Sequence, residues 1–350
     1  MAQGLLWSIT PFGFRNTDNT ENAMNRKSRW GVVVGLLLGV AGMAGPAAAE
    51  GLKIGYSDWP GWVAMEVAIN KGWFKQAGLD VTFQWFDYSA SMEAYAAGKI
   101  DGDLVTNGDA LVTGAGGAKG VMVMLTDYSD GNDMIVGKPG IKSLKDLKGK
   151  KVGVEVGFVE HLLLLKGLEA NDMKESDVTL VNVKTNETPQ VLASGQVDAI
   201  GAWQPNSGQA MKALPGSRPV YTSAAAPGLI YDVLYVTPAS LKAHKADYIK
   251  LAKVWDKVVH YINDPATQDD AVKIMAGRVG LTPEAYKPLL KGTHLIDLAE
   301  GKKVYAKAPG LGSLYGSSDI SNEFNVKNAV YKDSQDVSSY IDPSVTAAAQ

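Results

Sequence analysis

Carboxylates and aromatic side chains recur together in this chain, in short segments that contain no lysine or arginine. Five of them stand out: Ser57-Asp58-Trp59-Pro60-Gly61-Trp62, Trp85-Phe86-Asp87-Tyr88, Asn107-Gly108-Asp109, Asp127-Tyr128-Ser129-Asp130-Gly131-Asn132-Asp133 and Gly201-Ala202-Trp203-Gln204. Beyond position 49 the only arginines are Arg218 and Arg278, outside all five. Such a set suits a small cation or a polar neutral molecule, because ion pairing and cation–π attraction reinforce each other once water is excluded. An anion needs guanidinium, ammonium or helix N–H donors and is repelled here.

Guanidinium is planar, always charged and carries only N–H donors. It wants carboxylates in its plane and rings above and below it. Asp58 with Trp59 and Trp62, and Asp87 with Tyr88, supply both. Urea has the same shape but one C=O acceptor, so its site also needs a donor such as Asn107, Asn132, Gln204 or an indole N–H. Other roles compete for these residues. Asp58, Asp87 and Asp109 each stand just before an expected helix, where a carboxylate can cap the free N–H groups instead. Asp127, Asp130 and Glu187 read as solvated loop charges, while Asp133 joins the ligand candidates. Glu155 ends an apolar strand, where an unpaired carboxylate is expensive to bury. Glu160 and His161 open the next helix and have ordinary roles as a first-turn acid and a structural histidine. Trp203 is either a core residue or, with Gln204-Pro205 after it, a ring at the edge of a cleft. Asp232 is either a ligand group or half of a hinge ion pair.

The elements that must position these residues alternate between β and α. Strands are expected at 52–56, 79–85, 102–106, 121–126 and 133–136, interleaved with helices at 63–71 and 91–97. Lys138-Pro139-Gly140 breaks the pattern, which restarts with a strand at 152–154 and continues through 199–203. Ala224-Ala225-Ala226-Pro227-Gly228 is a second break, followed by a strand at 231–236 and a long helix at 246–263. The remainder reads as helical, with the last ten or so residues expected to fray. This is an α/β chain with largely parallel sheets in two lobes. Residues 50–137 form the first part of lobe 1, 138–229 form lobe 2, and 230–350 return to lobe 1 and add C-terminal helices. Ligands of open α/β sheets bind at the carboxyl ends of strands, which places the cleft between the lobes.

With 350 residues and a net charge of -3, there is no basic excess for nucleic acid. Residues 1–49 read as an extension followed by a signal peptide at 24–49. That signal has basic residues Arg26, Lys27 and Arg29, an apolar run from Val32 to Val40, and cleavage near Ala49. The chain has no cysteine, no metal-ligand spacing and no nucleophile motif around its histidines, His161, His244, His260 and His294. These features point to a periplasmic monomer without cofactor or metal, and not to an enzyme.

Lys53-Ile54-Gly55-Tyr56, Lys71-Gly72-Trp73-Phe74-Lys75-Gln76-Ala77-Gly78-Leu79-Asp80-Val81 and Ala97-Gly98-Lys99-Ile100-Asp101 resemble periplasmic substrate-binding proteins of the nitrate/sulfonate/taurine class. So do the segment from Ile141 to Gly153 and Leu192-Ala193-Ser194-Gly195-Gln196-Val197-Asp198-Ala199. The resemblance implies a type II periplasmic-binding-protein fold with a two-crossover hinge, serving an ABC importer with a membrane permease as partner. Thr106-Asn107-Gly108-Asp109-Ala110, Asp130-Gly131-Asn132-Asp133-Met134, the segment from Val154 to His161 and Gly201-Ala202-Trp203-Gln204-Pro205-Asn206 are similar to a narrower branch associated with urea carboxylase. Weighed with the loop charges, the expected ligand is guanidine, with urea or another small amide as the alternative.

Overall fold

The computed structural model describes residues 51–349, so the expected extension and signal peptide lie outside the described residues. Eleven strands divide between two sheets. In chain order they are β1 (Leu52–Tyr56), β2 (Val81–Trp85), β3 (Gly102–Thr106), β4 (Val121–Ser129), β5 (Asp133–Gly137), β6 (Lys151–Val154), β7 (Thr179–Asn182), β8 (Ala199–Trp203), β9 (Arg218–Thr222), β10 (Tyr231–Val236) and β11 (Thr293–Leu295). The first sheet has the order β11-β4-β10-β3-β1-β2 and the second β7-β6-β8-β5-β9.

Neither sheet is largely parallel. β1 pairs in parallel with β2 and β3, and β6 with β7 and β8. In the first sheet β10 and β11 run against β1 to β4, and in the second β5 alone runs against the others. β10 enters the first sheet antiparallel to both β3 and β4, and β5 enters the second antiparallel to both β8 and β9. β3, β8 and β10 are buried at every position, as expected of strands covered on both faces.

The chain changes sheet between Ser129 and Asp133, ahead of Lys138-Pro139-Gly140, and returns between Thr222 and Tyr231. Gly131 makes the first bend possible at φ 120°, a conformation that side-chain-bearing residues rarely adopt. The two crossings are bonded to each other. The Ser129 and Ser223 hydroxyls meet at 2.6 Å, the Gly131 N–H donates to Ser223 Oγ at 2.7 Å, and the Ser129 N–H donates to Ile230 O at 3.0 Å.

After β10 the chain packs on the first sheet. The helix Pro238–Asn263 starts with proline in its first turn and with Thr237 Oγ1 accepting the Ser240 N–H. Its buried positions Tyr248, Leu251, Trp255, Val258 and Ile262 recur at helical spacing, and Trp255 Nε1 donates to Ile296 O at 2.8 Å. The C-terminal stretch does not fray. Ile341 bridges to Met122, Thr346 Oγ1 donates to Val123 O, and Val345 is fully buried. Its apolar residues cover the inner end of β4, a role that local pattern could not reveal.

That packing is testable. Val345→Asp buries an unpaired carboxylate and should lower stability by about 2–4 kcal/mol. A melting temperature equal to wild type in thermal unfolding would mean that this segment is loosely held.

Candidate ligand cleft

The site assembles where strand ends of both sheets meet. In lobe 1, β1 ends at Tyr56 and is followed by Ser57, Asp58 and Trp59. β3 ends at Thr106, and Asp232 at the start of β10 stands in register opposite both Thr106 and Asp127. In lobe 2, Asp133 at the start of β5 stands opposite Trp203 at the end of β8. Glu160 comes from the first turn of the helix Val159–Glu169, and its side chain lies over Gly201, where an added Cβ would stand 3.0 Å from the Glu160 Cβ.

An inner cavity is lined by Trp59, Trp62, Tyr88, Thr106, Asp133, Val159, Trp203, Ile230 and Asp232. The open space is about 10 Å³, room for about one water in this closed arrangement. Trp62 stacks on Tyr88 at 5.2 Å between centroids, and Tyr88 meets Trp203 edge-on at the same distance. Tyr88 and Trp203 also line an outer chamber with Asp58, Trp85, Phe86, Asp87, Glu155, Lys184 and Asn206. They form the wall between entrance and interior.

Five buried carboxyl groups converge on the inner cavity. Asp133 and Asp232 line it, while Asp109, Asp127 and Glu160 stand directly behind its walls. Tyr88 OH donates to Asp109 Oδ2 at 2.7 Å and accepts the Thr106 N–H at 3.1 Å. Trp59 Nε1 donates to Asp127 Oδ1 at 2.8 Å. Asp133 lies within hydrogen-bonding reach of Glu160, and Asp127 within reach of Asp232. Neither lysine nor arginine lines the cavity. Burial pushes the carboxyls of Asp109 and Asp133 up to about 7 and Asp127 to about 6. Glu160 and Asp232 are held well above the usual carboxylate range, by burial first and then by their acidic neighbours. Close beside each other, the two carboxyls of each pair disfavour joint ionisation. The Trp62 Nε1 donor, Asp127 Oδ2, Asp133 Oδ2, Asp232 Oδ1 and both Glu160 oxygens have no hydrogen-bond partner.

Asp58 has a different place. Its Oδ1 accepts from Trp203 Nε1 at 2.8 Å and its Oδ2 from Asn206 Nδ2 at 2.7 Å, so both oxygens are bound by lobe 2. It ties the lobes together. None of the three candidate capping carboxylates makes a capping bond: Trp59 precedes the first helix, Asp87 makes no cap contact, and Thr106 caps the helix containing Asp109. Asp87 is exposed at the rim of the outer chamber, and Glu155 is buried there against Ser89.

Two candidates are turned away from the cavity. Asn107 donates to Ser317 and Ser318 and accepts the Tyr231 N–H, which uses its amide to fasten the helix Leu314–Lys327. His161 accepts the Gly157 N–H at Nδ1 and packs edge-on against Phe324, with Nε2 3.6 Å from Glu175. Asp127, expected as a solvated charge, is fully buried because β4 runs on to Ser129 and sets it opposite Asp232. Asn206 and Lys184 escaped the sequence reading. Asn206 lay two residues past the aromatic segment, and nothing local marks Lys184 as facing the entrance.

The description NMT1/THI5 like fits residues 59–267. The chain belongs to the NMT1/THI5-like family. This NMT1/THI5-like chain is 31% identical over 167 residues to a binding protein of Brucella abortus, covering 47% of the chain and 51% of the relative. It thus spans about half the length of that curated relative. It is 25% identical over 275 residues to an aliphatic sulfonates-binding protein of Bacillus subtilis, covering 75% of the chain and 81% of the relative. Its fold matches the alkanesulfonate-binding protein SsuA of Xanthomonas axonopodis pv. citri, solved with bound MOPS, at a TM-score of 0.71 and 17% identity, over 84% of this chain and 98% of that one. The two-lobed mixed α/β architecture is that of periplasmic binding proteins.

Two predictions follow from the geometry of this NMT1/THI5-like site. Asp58→Ala removes two buried N–H acceptors that join the lobes, a loss on the order of 2–3 kcal/mol. Small-angle scattering of the ligand-free variant should show a larger radius of gyration; an unchanged radius would mean that Asp58 does not hold the lobes. The second concerns pH. Asp109 and Asp133 bind protons more tightly folded than unfolded, so their stabilising contribution is complete below their usual range and lost as pH rises toward about 7. The ligand-free melting temperature should therefore fall between about pH 5 and about pH 8, and Asp133→Asn should flatten that fall.

Proposed function

We propose that this protein is the solute-binding component of an ABC import system, and that it closes its lobes on a small planar nitrogenous cation, guanidinium. Family membership and the shared architecture support the transport role, with a membrane permease as the receiving partner and export to the periplasm through the N-terminal signal. The ligand reading rests on one observation: five buried carboxyls surround an aromatic cavity that neither lysine nor arginine lines. A sulfonate or nitrate entering this space would face desolvated acids with no cation to offset them. Guanidinium would gain carboxylate hydrogen bonds in its plane and the faces of Trp62, Tyr88 or Trp203. Cation–π contact of this kind contributes about 1–2 kcal/mol when water is excluded.

The ligand has four heavy atoms, more than the closed cavity holds, so it enters with the lobes apart and separates facing side chains as they close. Asp133 and Asp232 are the groups we assign to its N–H donors, with Trp59, Trp62, Tyr88 and Trp203 as the surrounding rings. Glu155 and Asp87, in the outer chamber, are assigned to the approach of a cation. Urea fits the same shape and could use the free Trp62 N–H for its carbonyl, but it leaves the carboxyl charge uncompensated.

Calorimetric or thermal-shift titration of the mature protein with guanidinium, urea, nitrate and taurine tests this reading. Guanidinium should bind and stabilise, urea more weakly, and the two anions not at all. Binding of nitrate or taurine in preference to guanidinium would refute it. Asp133→Asn and Trp203→Ala should each weaken guanidinium by about tenfold or more, and Asp87→Asn at the rim by less. Equal affinities across the three variants would place the ligand elsewhere.

A further inference from the structure

Among the buried acids, the two contacts between carboxyl groups call for a reason of their own. Asp127 and Asp232 face each other across the β4–β10 ladder, and Asp133 faces Glu160 across the lobe 2 side of the cavity. Two carboxylates cannot share such a contact while both are ionised, so each pair holds a proton. One member of each pair, Asp133 and Asp232, lines the cavity itself.

We propose that these two pairs set ligand specificity by charge exchange: a cation binds as a proton leaves a pair, and a neutral molecule of the same shape cannot drive that exchange. This inference rests on the cation reading above. The exchange balances without any further reactant. Guanidinium keeps its charge, a carboxyl O–H bond breaks, and the proton passes to solvent. The pair member that lines the cavity, Asp133 or Asp232, then accepts the ligand's N–H groups as an ionised carboxylate.

The surroundings leave few other sources of compensating charge. Asp127 meets the Trp59 indole and is near Tyr286, both neutral. The nearest base is His294 on β11, which is already bonded to Glu300 at 2.9 Å. Glu160 and Asp133 face the Ser129 hydroxyl and Asp109. Asp109 in turn meets the Tyr88 hydroxyl and has Glu155 as its next acidic neighbour. Every charged group within the inner cluster is acidic, so the proton is the cation available for the ligand to displace. The close fit adds to this. A ligand of four heavy atoms cannot occupy so small a space without parting the side chains that now touch.

The test is calorimetric titration of the full mature protein with guanidinium chloride, well below denaturing concentrations, in two buffers of different ionisation enthalpy. Roughly one proton should be released per guanidinium near pH 7, and the dissociation constant should tighten by up to about tenfold between about pH 6 and about pH 7. Urea should bind more weakly and release no proton. Glu160→Gln cannot supply the proton of its pair, so it should release fewer protons and show a flatter pH profile. A residue of purely structural importance would alter affinity without altering the proton count. Guanidinium binding with no proton release and no pH dependence would overturn the exchange while leaving the ligand assignment intact. Urea binding as tightly as guanidinium would overturn the charge discrimination. No guanidinium binding at any pH would overturn the ligand assignment itself.

Discussion

Burying carboxyl groups without a cation is the constraint around which this protein is organised. An ionised carboxylate taken out of water is unfavourable by several kcal/mol unless hydrogen bonds or an opposite charge offset it. Here the offset comes in part from an indole N–H for Asp127 and a tyrosine hydroxyl for Asp109. The backbone makes room for them. At Gly61 even a Cβ would run into the Asp127 carboxylate, and Gly201 is crowded in the same way by Glu160. These glycines answer to the side chains packed directly over them.

The same constraint links the two lobes. Asp133 and Glu160 belong to the second sheet and its helix, while Asp109, Asp127 and Asp232 belong to the first, so the acidic cluster exists only when the lobes are together. Mutual repulsion alone would drive them apart. Asp58 opposes this through its bonds to Trp203 and Asn206, and the hydroxyl contact between Ser129 and Ser223 keeps the crossings in step. A cation placed in the middle would turn the repulsive component into an attractive one.

Much of this was legible in the sequence, and the exceptions have physical reasons. The buried strands β3, β8 and β10 were visible as apolar runs, and the acidic, aromatic loop segments were visible as composition. What the loops do individually was less so. Asp58 finds its partners 145 and 148 residues away, which no local pattern encodes. Asp127 looked solvated because its segment is rich in Asp, Ser and Gly, yet the strand pairing carries it inside. His161 and Asn107 sit in segments that resemble binding loops, but helix geometry directs them toward the helix Leu314–Lys327. The short strand β11 and the packed C-terminus depend on the first sheet being complete before they have anything to pair with.

The comparison with sulfonate-binding relatives sharpens what the fold does and does not decide. The overall architecture is shared with a solved structure at 17% sequence identity. The charge around the cleft does not come with it, because it is set by a few side chains at the strand ends. In this chain Asp58 follows β1, Asp133 opens β5, Asp232 stands near the start of β10, and Trp203 closes β8. The acids are thus placed by rigid strands and not by flexible loops. That rigidity allows several of them to be held close together and out of water.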